Sequence, residues 1–445
     1  MGSIATGTSG DYRRMIGEEM MMGRYPMITQ SMTKEDFQLL LASLGCNLPA
    51  SGHLSELSRP LSLGKMGTLA NRFVIQPMEG SDARPDGSPG PATIRRYERY
   101  AAGRVAVIWM EAVAVSMEGR GHQHMLHLHE QNLDAFRNLV NRIREKATGG
   151  PEPLIIMQLH HSGRYGSHPK ILFHEPEIDR AAGIAQDFPI LSDAELDRIA
   201  DDVVEAGRLA KRSGVDAIDL KCCHGYLFNE LLRARTREGR YGGSYARRTA
   251  LLFLIITRLI EEVGIECAVR MDAFSAEPYP YGWGVASDGS LDLAEPIRFA
   301  RDLADLGVRI VNVSNGSPFV RPYLSRPFNS DHHPPEHPLR SIERLLRCAR
   351  EIQQAVPELA VVASGFSGLR QFGPMVGAAS IASGGCSLIG FGRQSFAYPN
   401  LPADIMGGLP LDSRKFCTLC DGCINLLKSG HPSGCVVHDR GYHGA

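Results

Sequence analysis

An excess of charge of either sign is missing from this chain. Its 445 residues carry 48 Lys and Arg against 49 Asp and Glu, a balance that offers no electrostatic footprint for nucleic acid. No stretch approaches the ~20 uninterrupted apolar residues that a membrane-spanning helix requires. The opening MGSIATGTSGDYRRMIGEE lacks the apolar core of a secretory signal, so a cytoplasmic location is expected. It fits the short Met-Gly-x-x-x-Ser/Thr acylation pattern, against which an ordinary N-terminus is the better account. No Gly-x-Gly-x-x-Gly follows an early strand, which counts against a dinucleotide-binding Rossmann unit.

What the sequence does have is a large apolar content, 43% of the chain, arranged as short runs alternating with helix-like stretches. The runs at 73–77, 105–111, 154–159, 217–221, 267–271, 310–313, 360–363 and 387–390 have the character of parallel strands buried on both faces. Amphipathic segments at 133–147, 193–213, 246–263, 293–306 and 339–355 lie between them. Eight strands alternating with helices predict an α/β fold, a (β/α)8 TIM barrel over residues 57–410. An N-terminal extension (1–56) precedes it, with a helix between Thr33 as N-cap and Gly45 as stop. A short segment, 411–445, follows it.

In such barrels the chemistry sits at the C-terminal strand ends, and polar residues do stand where the apolar runs stop. They are Glu79, Glu111, Gln158 and His161, Lys221 and His224, Arg270 and Asp272, then Ser314 and Asn315. The last two runs end in SGFSG (364–368) and GFGR (390–393), where glycine lets backbone N–H groups approach an anion. Any barrel ends its strands in polar loops, so the pattern points to a site without naming one.

The motifs at these ends resemble the old yellow enzyme family, in particular its branch with 2,4-dienoyl-CoA reductase and trimethylamine dehydrogenase. They are NRFVIQPMEG (71–80), QLHHSGRYG (158–166), CCHGYLFNELL (222–232), RYGGSYARR (240–248) and GFGR (390–393), in the family's order. The resemblance implies FMN as cofactor. Pro77, Met78 and Glu79 would pass beside the flavin ring, Gln158 would meet its pyrimidine edge, and Glu111 joins this cofactor set. Arg270 would lie near N1 and O2, and Gly365, Gly392 and Arg393 would hold the phosphate. Lys221 and His224 match the pair that binds the substrate oxygen, and Tyr226 matches the tyrosine that supplies a proton. The first of these has changed to lysine, which favours a carboxylate or polarised oxygen, or else serves a structural ion pair. Tyr226 read without the family is a core aromatic at the barrel rim. His161 and Arg164 are expected at the substrate; His160 and His161 point to opposite faces, and the family pattern favours His161. The histidine run GHQHMLHLHE (121–130) suits a pocket-shaping loop better than a metal site.

Four of the ten cysteines crowd near the C-terminus, Cys417, Cys420, Cys423 and Cys435, as C-x2-C-x2-C-x11-C. In a large enzyme such a cluster reads as metal-binding rather than disulfide. Four thiolates with three close together suit a [4Fe-4S] cluster, whereas zinc sites commonly pair two C-x2-C knuckles. The iron–sulfur relatives continue into nucleotide-binding domains beyond Ala445, so an external electron partner is expected: a ferredoxin, a flavoprotein or a separate subunit. A homo-oligomer is left open. Reduction of an activated C=C bond in a small-molecule substrate is the favoured activity. An amine or N-methyl dehydrogenase, with Tyr165, Trp109, Trp283, Tyr279 and Tyr281 as an aromatic cage, is the alternative. A non-catalytic electron-transfer subunit is the third.

Overall fold

The computed structural model describes residues 27–328 and 334–442; the acylation pattern and most of the N-terminal half of the extension lie outside them. Eight parallel strands close on themselves: β1 (Phe73–Ile75), β2 (Val107–Ala114), β3 (Leu154–His160), β4 (Ala217–Cys222), β5 (Glu266–Phe274), β6 (Ile310–Asn315), β7 (Ala360–Ala363) and β8 (Leu388–Phe391). β8 pairs β1 at Ile389↔Phe73, and β1 pairs β2 at Val74↔Val107, so no edge remains between them. The predicted (β/α)8 barrel is therefore the observed fold.

Alternation decides which side chains enter the barrel. Val74, Val107, Leu154, Ile156, Ile310 and Leu388 fill its interior, and Leu63 and Leu69 join them from a small hairpin, Leu61–Ser62 with Thr68–Leu69. That hairpin closes the floor at the N-terminal ends of the strands. The opposite parity of each strand faces the helices and belongs to the main outer core. One step above the apolar floor the same inward parity turns polar, with Gln76, Gln158, Asp219, Asn312 and Ser364 all buried.

The helices obey their local signals. α1 (Lys34–Ser43) starts at Thr33 with a capping box to Asp36, and α4 (Asp193–Ser213) starts at Ser192 with one to Glu195 and stops at left-handed Gly214. α1 fixes the extension to the barrel by stacking Phe37 on Phe372 with ring centroids 4.3 Å apart. Burying that one ring contributes about 2–3 kcal/mol. α2 (Pro91–Ala102), α3 (Leu133–Lys146), α5 (Leu227–Arg233), α6 (Tyr245–Arg258), α7 (Ala294–Asp305) and α8 (Pro338–Ala355) complete the helices used below. Among the described residues no helix is long and apolar enough to cross a membrane.

The segment after the barrel folds back onto the strand C-termini. Ser433 N donates to Gly80 O at 2.7 Å, Cys417 N donates to Gln394 Oε1 at 2.9 Å, and Asp439 pairs with Arg95 and Arg99 of α2. The four cysteines are thereby carried to the barrel mouth.

Candidate active site

A cavity of about 180 Å³ opens at the C-terminal ends of β1, β7 and β8. Pro77, Met78, Glu79, His224, Arg270, Gly365, Gly392 and Arg393 line it, bringing together most of the positions singled out in the sequence. Gly365 holds φ +100°, a left-handed backbone where a side chain is strained. A Cβ on Gly392 would stand 2.9 Å from Met78 Sδ, so the chain needs glycine there to bring the two loops together. Arg270 is 8% exposed and its Nε has no hydrogen-bond partner. Among the described residues no carboxylate forms a salt bridge with it. An uncompensated guanidinium facing a cavity suits an electron-rich ligand edge, and the glycine-rich ends of β7 and β8 suit a phosphate. These features fit FMN.

A polar layer supports the floor beneath. Asp219 accepts from Trp109 Nε1 at 2.8 Å, Gln158 Nε2 at 2.6 Å and the Arg270 backbone N–H at 2.6 Å. Burial nonetheless pushes its carboxyl up to about 6. With Nε2 held by Asp219, Gln158 is left to offer its carbonyl oxygen, an acceptor. Gln76 spans the other side, accepting from Asn312 Nδ2 and donating to Ser364 Oγ. Neither Asp219 nor Asn312 was singled out from sequence, although an acid inside the apolar run AIDLKC was a visible signal.

His224 stands at φ +67°, its backbone N–H donating to Asp272 Oδ2 at 2.7 Å and its Nε2 lying 2.7 Å from Ser314 Oγ. Burial, then Arg270 and Lys221, hold the imidazole neutral, far below its ordinary value. Lys221 Nζ sits 4.2 Å from the centroid of the Tyr226 ring, and burial lowers its ammonium. Tyr226 packs edge-on against His160, Tyr165 and Phe319, at 4.4, 6.1 and 5.7 Å between centroids. Burial raises its hydroxyl well above the usual range, so it holds its proton until a strong base forms beside it. Cys223, His224 and Asp272 bring ligand atoms within 4.8 Å of one another, but Arg270 and Lys221 flank them and oppose a further cation.

Six expected positions do not line this cavity: Lys221 and Tyr226, which lie on each other beside His160, and His161, Arg164, Glu111 and Gln158. His161 faces outward: its Nδ1 accepts from Gly163 N and its charged neighbours are Lys170 and Glu118. His160 shares the parity of Gln158 and is the histidine beside Tyr226, as the alternation rule implies once Gln158 is set inward. Arg164 is spent on Glu230 (Nε···Oε1 2.6 Å), Asp179 and the Phe173 carbonyl, wholly buried. Glu111 bonds Arg96 and accepts from Gly80 N at 2.6 Å, so it braces the loop after β1 from behind; burial lifts its carboxyl to about 7. Gln158 stands below the cavity rather than in its wall. Of the aromatic residues considered for a cage, Tyr165 reaches Tyr226, while Trp109 bonds Asp219 inside the barrel and Trp283 bonds the Asp272 carbonyl.

Cys417, Cys420, Cys423 and Cys435 line one small cavity with Arg393 and Asp421. Arg393 thus stands in the walls of both cavities, its Nη1 held 2.9 Å from Asp421 Oδ1. Positive φ at Leu419 (60°) and Asp421 (55°) coils the loop, and Leu419 N and His438 N point at the sulfurs of Cys417 and Cys435, at 3.5 and 3.3 Å. Cys420 is exposed; Cys417 and Cys423 are buried.

A larger groove of about 410 Å³ runs along the outer face of α8, between Arg340, Arg344, Arg347 and residues 47–49. None of the strand-end polar residues lines it.

The model of the NADH:flavin oxidoreductase / NADH oxidase family matches residues 56–412. An NADH oxidase of Thermoanaerobacter brockii is 28% identical over 381 residues, covering 82% of this chain and 53% of that protein. An NADPH dehydrogenase of Bacillus subtilis (strain 168) is 30% identical over 271 residues, 59% of this chain and 74% of that protein. The chain therefore spans about half the length of the NADH oxidase it matches. In fold it is similar to a 2-naphthoyl-CoA reductase solved with 2-naphthoyl-CoA (TM-score 0.71, 18% identity, 87% of this chain and 57% of that one). It is also similar to histamine dehydrogenase from Rhizobium sp. 4-9 (TM-score 0.68, 21% identity, 86% and 52%).

Proposed function

The chain belongs to the NADH:flavin oxidoreductase / NADH oxidase family, and from that premise we propose that it is an FMN-dependent reductase of activated C=C bonds, fed with electrons through a [4Fe-4S] cluster. Bound in the cavity, FMN supplies hydride chemistry at the substrate's β-carbon. Arg270, Gly365, Gly392 and Arg393 would hold it, with Pro77, Met78 and Glu79 alongside and the Gln158 oxygen below. Lys221 and His224 receive the substrate's carbonyl oxygen, which gains negative charge as the alkene is reduced. Tyr226 gives its proton to the α-carbon.

The observation that carries this direction is the Lys221 ammonium lying on the Tyr226 ring. A cation already in that place favours an oxygen that turns anionic and repels a cationic amine. The alternative, amine oxidation with electrons leaving through the cluster, is favoured by the stacked pair Tyr165–Phe319 (3.8 Å between centroids) beside Tyr226, a surface that suits a cation.

The cluster reading is supported by the spacing of the four cysteines along the chain, C-x2-C-x2-C-x11-C, with three close together and no second C-x2-C pair before Cys435. The N–H groups aimed at the Cys417 and Cys435 sulfurs would tune such a core. The exposed Cys420 supports exchange of single electrons with an external carrier, a ferredoxin, flavoprotein or separate subunit.

Anaerobic purification with iron and flavin analysis, stepwise photoreduction and EPR tests the redox core. The expected result is one FMN, four irons and a reduced-cluster signal. Rapid mixing of reduced enzyme with enoates, and of oxidised enzyme with methylated amines, then tests direction. Reoxidation by enoates alone supports reduction; flavin bleaching by amines alone refutes it.

A further inference from the structure

Two arginines line the cavity at the strand ends from two different loops, Arg393 after β8 and Arg326 after β6. Among the described residues one carboxylate forms a salt bridge with either of them, and it serves both: Asp421, which lies between Cys420 and Cys423 in the chain and lines the cysteine cavity. Arg393 Nη1 lies 2.9 Å from Asp421 Oδ1, and its Nη2 donates to the carbonyl of Pro327, the neighbour of Arg326. Arg326 Nη1 is buried and stands 3.3 Å from Asp421 Oδ2, in an ion pair that is not a hydrogen bond. The side chains of Arg393, Arg326 and Asp421 are 6%, 19% and 13% exposed.

Two guanidinium groups gathered on one carboxylate repel each other. Burial and the charge of Arg393 both bear against the Arg326 cation, and Asp421 opposes them. The carboxylate is itself fixed by its loop. The Asp421 carbonyl accepts from Ile424 N and Asn425 N at 2.9 Å each, starting the short helix Gly422–Lys428. Val436 packs so tightly behind it that a Cβ on Gly422 would stand 2.3 Å from Val436 Cγ2. A second thread runs alongside: Gln394 N donates to Ser367 Oγ at 3.2 Å, in the glycine-rich end of β7, while Gln394 Oε1 accepts from Cys417 N.

Building on the FMN reading above, we propose that Asp421 is a positioning residue for the flavin phosphate, bridging Arg393 and Arg326 from the cysteine side so that both guanidinium groups face the cavity together. One carboxylate between two cations leaves a net positive charge for a phosphate to meet. Without the carboxylate the two cations repel, and Arg326, the more exposed and the less firmly bonded, turns away. Linkage makes the effect mutual: order in the cysteine loop raises flavin affinity, and a bound phosphate steadies the loop by the same factor.

The test uses the full chain freed of flavin and titrated with FMN or with riboflavin, which lacks the phosphate, followed by flavin fluorescence. Asparagine tolerates the left-handed backbone of Asp421 (φ 55°), so Asp421→Asn removes the charge and leaves the loop its path. It is expected to raise the FMN Kd about tenfold or more and to leave the riboflavin Kd unchanged. Arg326→Gln does the same, and the double variant loses little more than either alone, because the groups act as a unit. Independently, FMN slows amide hydrogen exchange across residues 417–426 in the wild type but not in Asp421→Asn, and riboflavin slows it in neither. FMN binding by Asp421→Asn as tight as wild type or tighter, an equal loss for riboflavin, additive losses in the double variant, or exchange indifferent to FMN overturns the bridge. A wild type that binds riboflavin as tightly as FMN refutes the FMN reading, and the bridge falls with it. A wild type that prefers FMN, with variants that keep that preference, sinks the bridge alone.

Discussion

Replacing Asp219 by asparagine separates what the polar layer does for the fold from what it does for the cofactor. The carboxylate collects three donors: Trp109 and Gln158 on Oδ2, the Arg270 N–H on Oδ1. In Asp219→Asn the retained oxygen keeps Arg270, and the new amide faces two donors. Gln158 relieves its conflict by turning its own amide over; Trp109 cannot, and an unsatisfied buried N–H costs about 1–3 kcal/mol. Against this, burial raises the Asp219 carboxyl from 3.8 to about 6, which corresponds to about 3 kcal/mol of stability lost by ionising it in the folded state. The two effects offset, so the urea midpoint at about pH 7.5 stays close to wild type. The sign follows from proton binding. The native state holds this proton more tightly than the unfolded chain, so this group's contribution is greatest below about pH 4 and falls as pH rises to about 6. The variant lacks that fall. Flavin affinity behaves differently, because a turned Gln158 presents an N–H where FMN needs an acceptor. The loss is about 1–3 kcal/mol, roughly 10- to 100-fold in Kd, read by quenching of FMN fluorescence on the apoprotein. Unchanged FMN affinity, or a stability loss beyond about 3 kcal/mol, would refute the reasoning.

Tyr226→Phe removes the proton donor and is expected to slow enoate-driven reoxidation of reduced enzyme by about 10²–10⁴-fold. Substrate binding, measured by flavin spectral shifts, stays near wild type. Arg164→Met strands Glu230 and Asp179 in the interior and is expected to destabilise the fold by about 3–5 kcal/mol in urea unfolding. Its KM remains that of wild type, because Arg164 does not reach the cavity.

The barrel was readable because buried parallel strands are short, apolar and bounded. The runs at 360–363 and 193–213 coincide with β7 and α4 to the residue. The small floor hairpin escaped notice, its strands being two residues each and carrying no periodicity. At the site, strand parity was the reliable guide where it was followed: Gln158 and His160 share a face, and the choice of His161 departed from it. Arg164 and Glu111 lie away from the cavity for a different reason. Buried ion pairs join residues far apart in the chain, Arg164 with Glu230 and Glu111 with Arg96, and a charged residue in a motif looks alike whether it awaits a ligand or is already neutralised. The cysteine cavity was readable from spacing, but its shared wall with the other cavity at Arg393 was not, because it depends on how the last segment folds back.

That return of the chain has a consequence for engineering. Ile424, Leu427 and Ser433, from the same segment as the cysteines, stand in the wall of the cavity at the ends of β1, β7 and β8. The segment is therefore masonry as well as the carrier of the four cysteines. Trimming the gene after the eighth strand, to obtain a barrel without the four cysteines, would breach this chamber. Swapping the segment between homologues would transplant part of the chamber along with the four cysteines. The module boundary suggested by the cysteine spacing is not a boundary at which this protein can be cut.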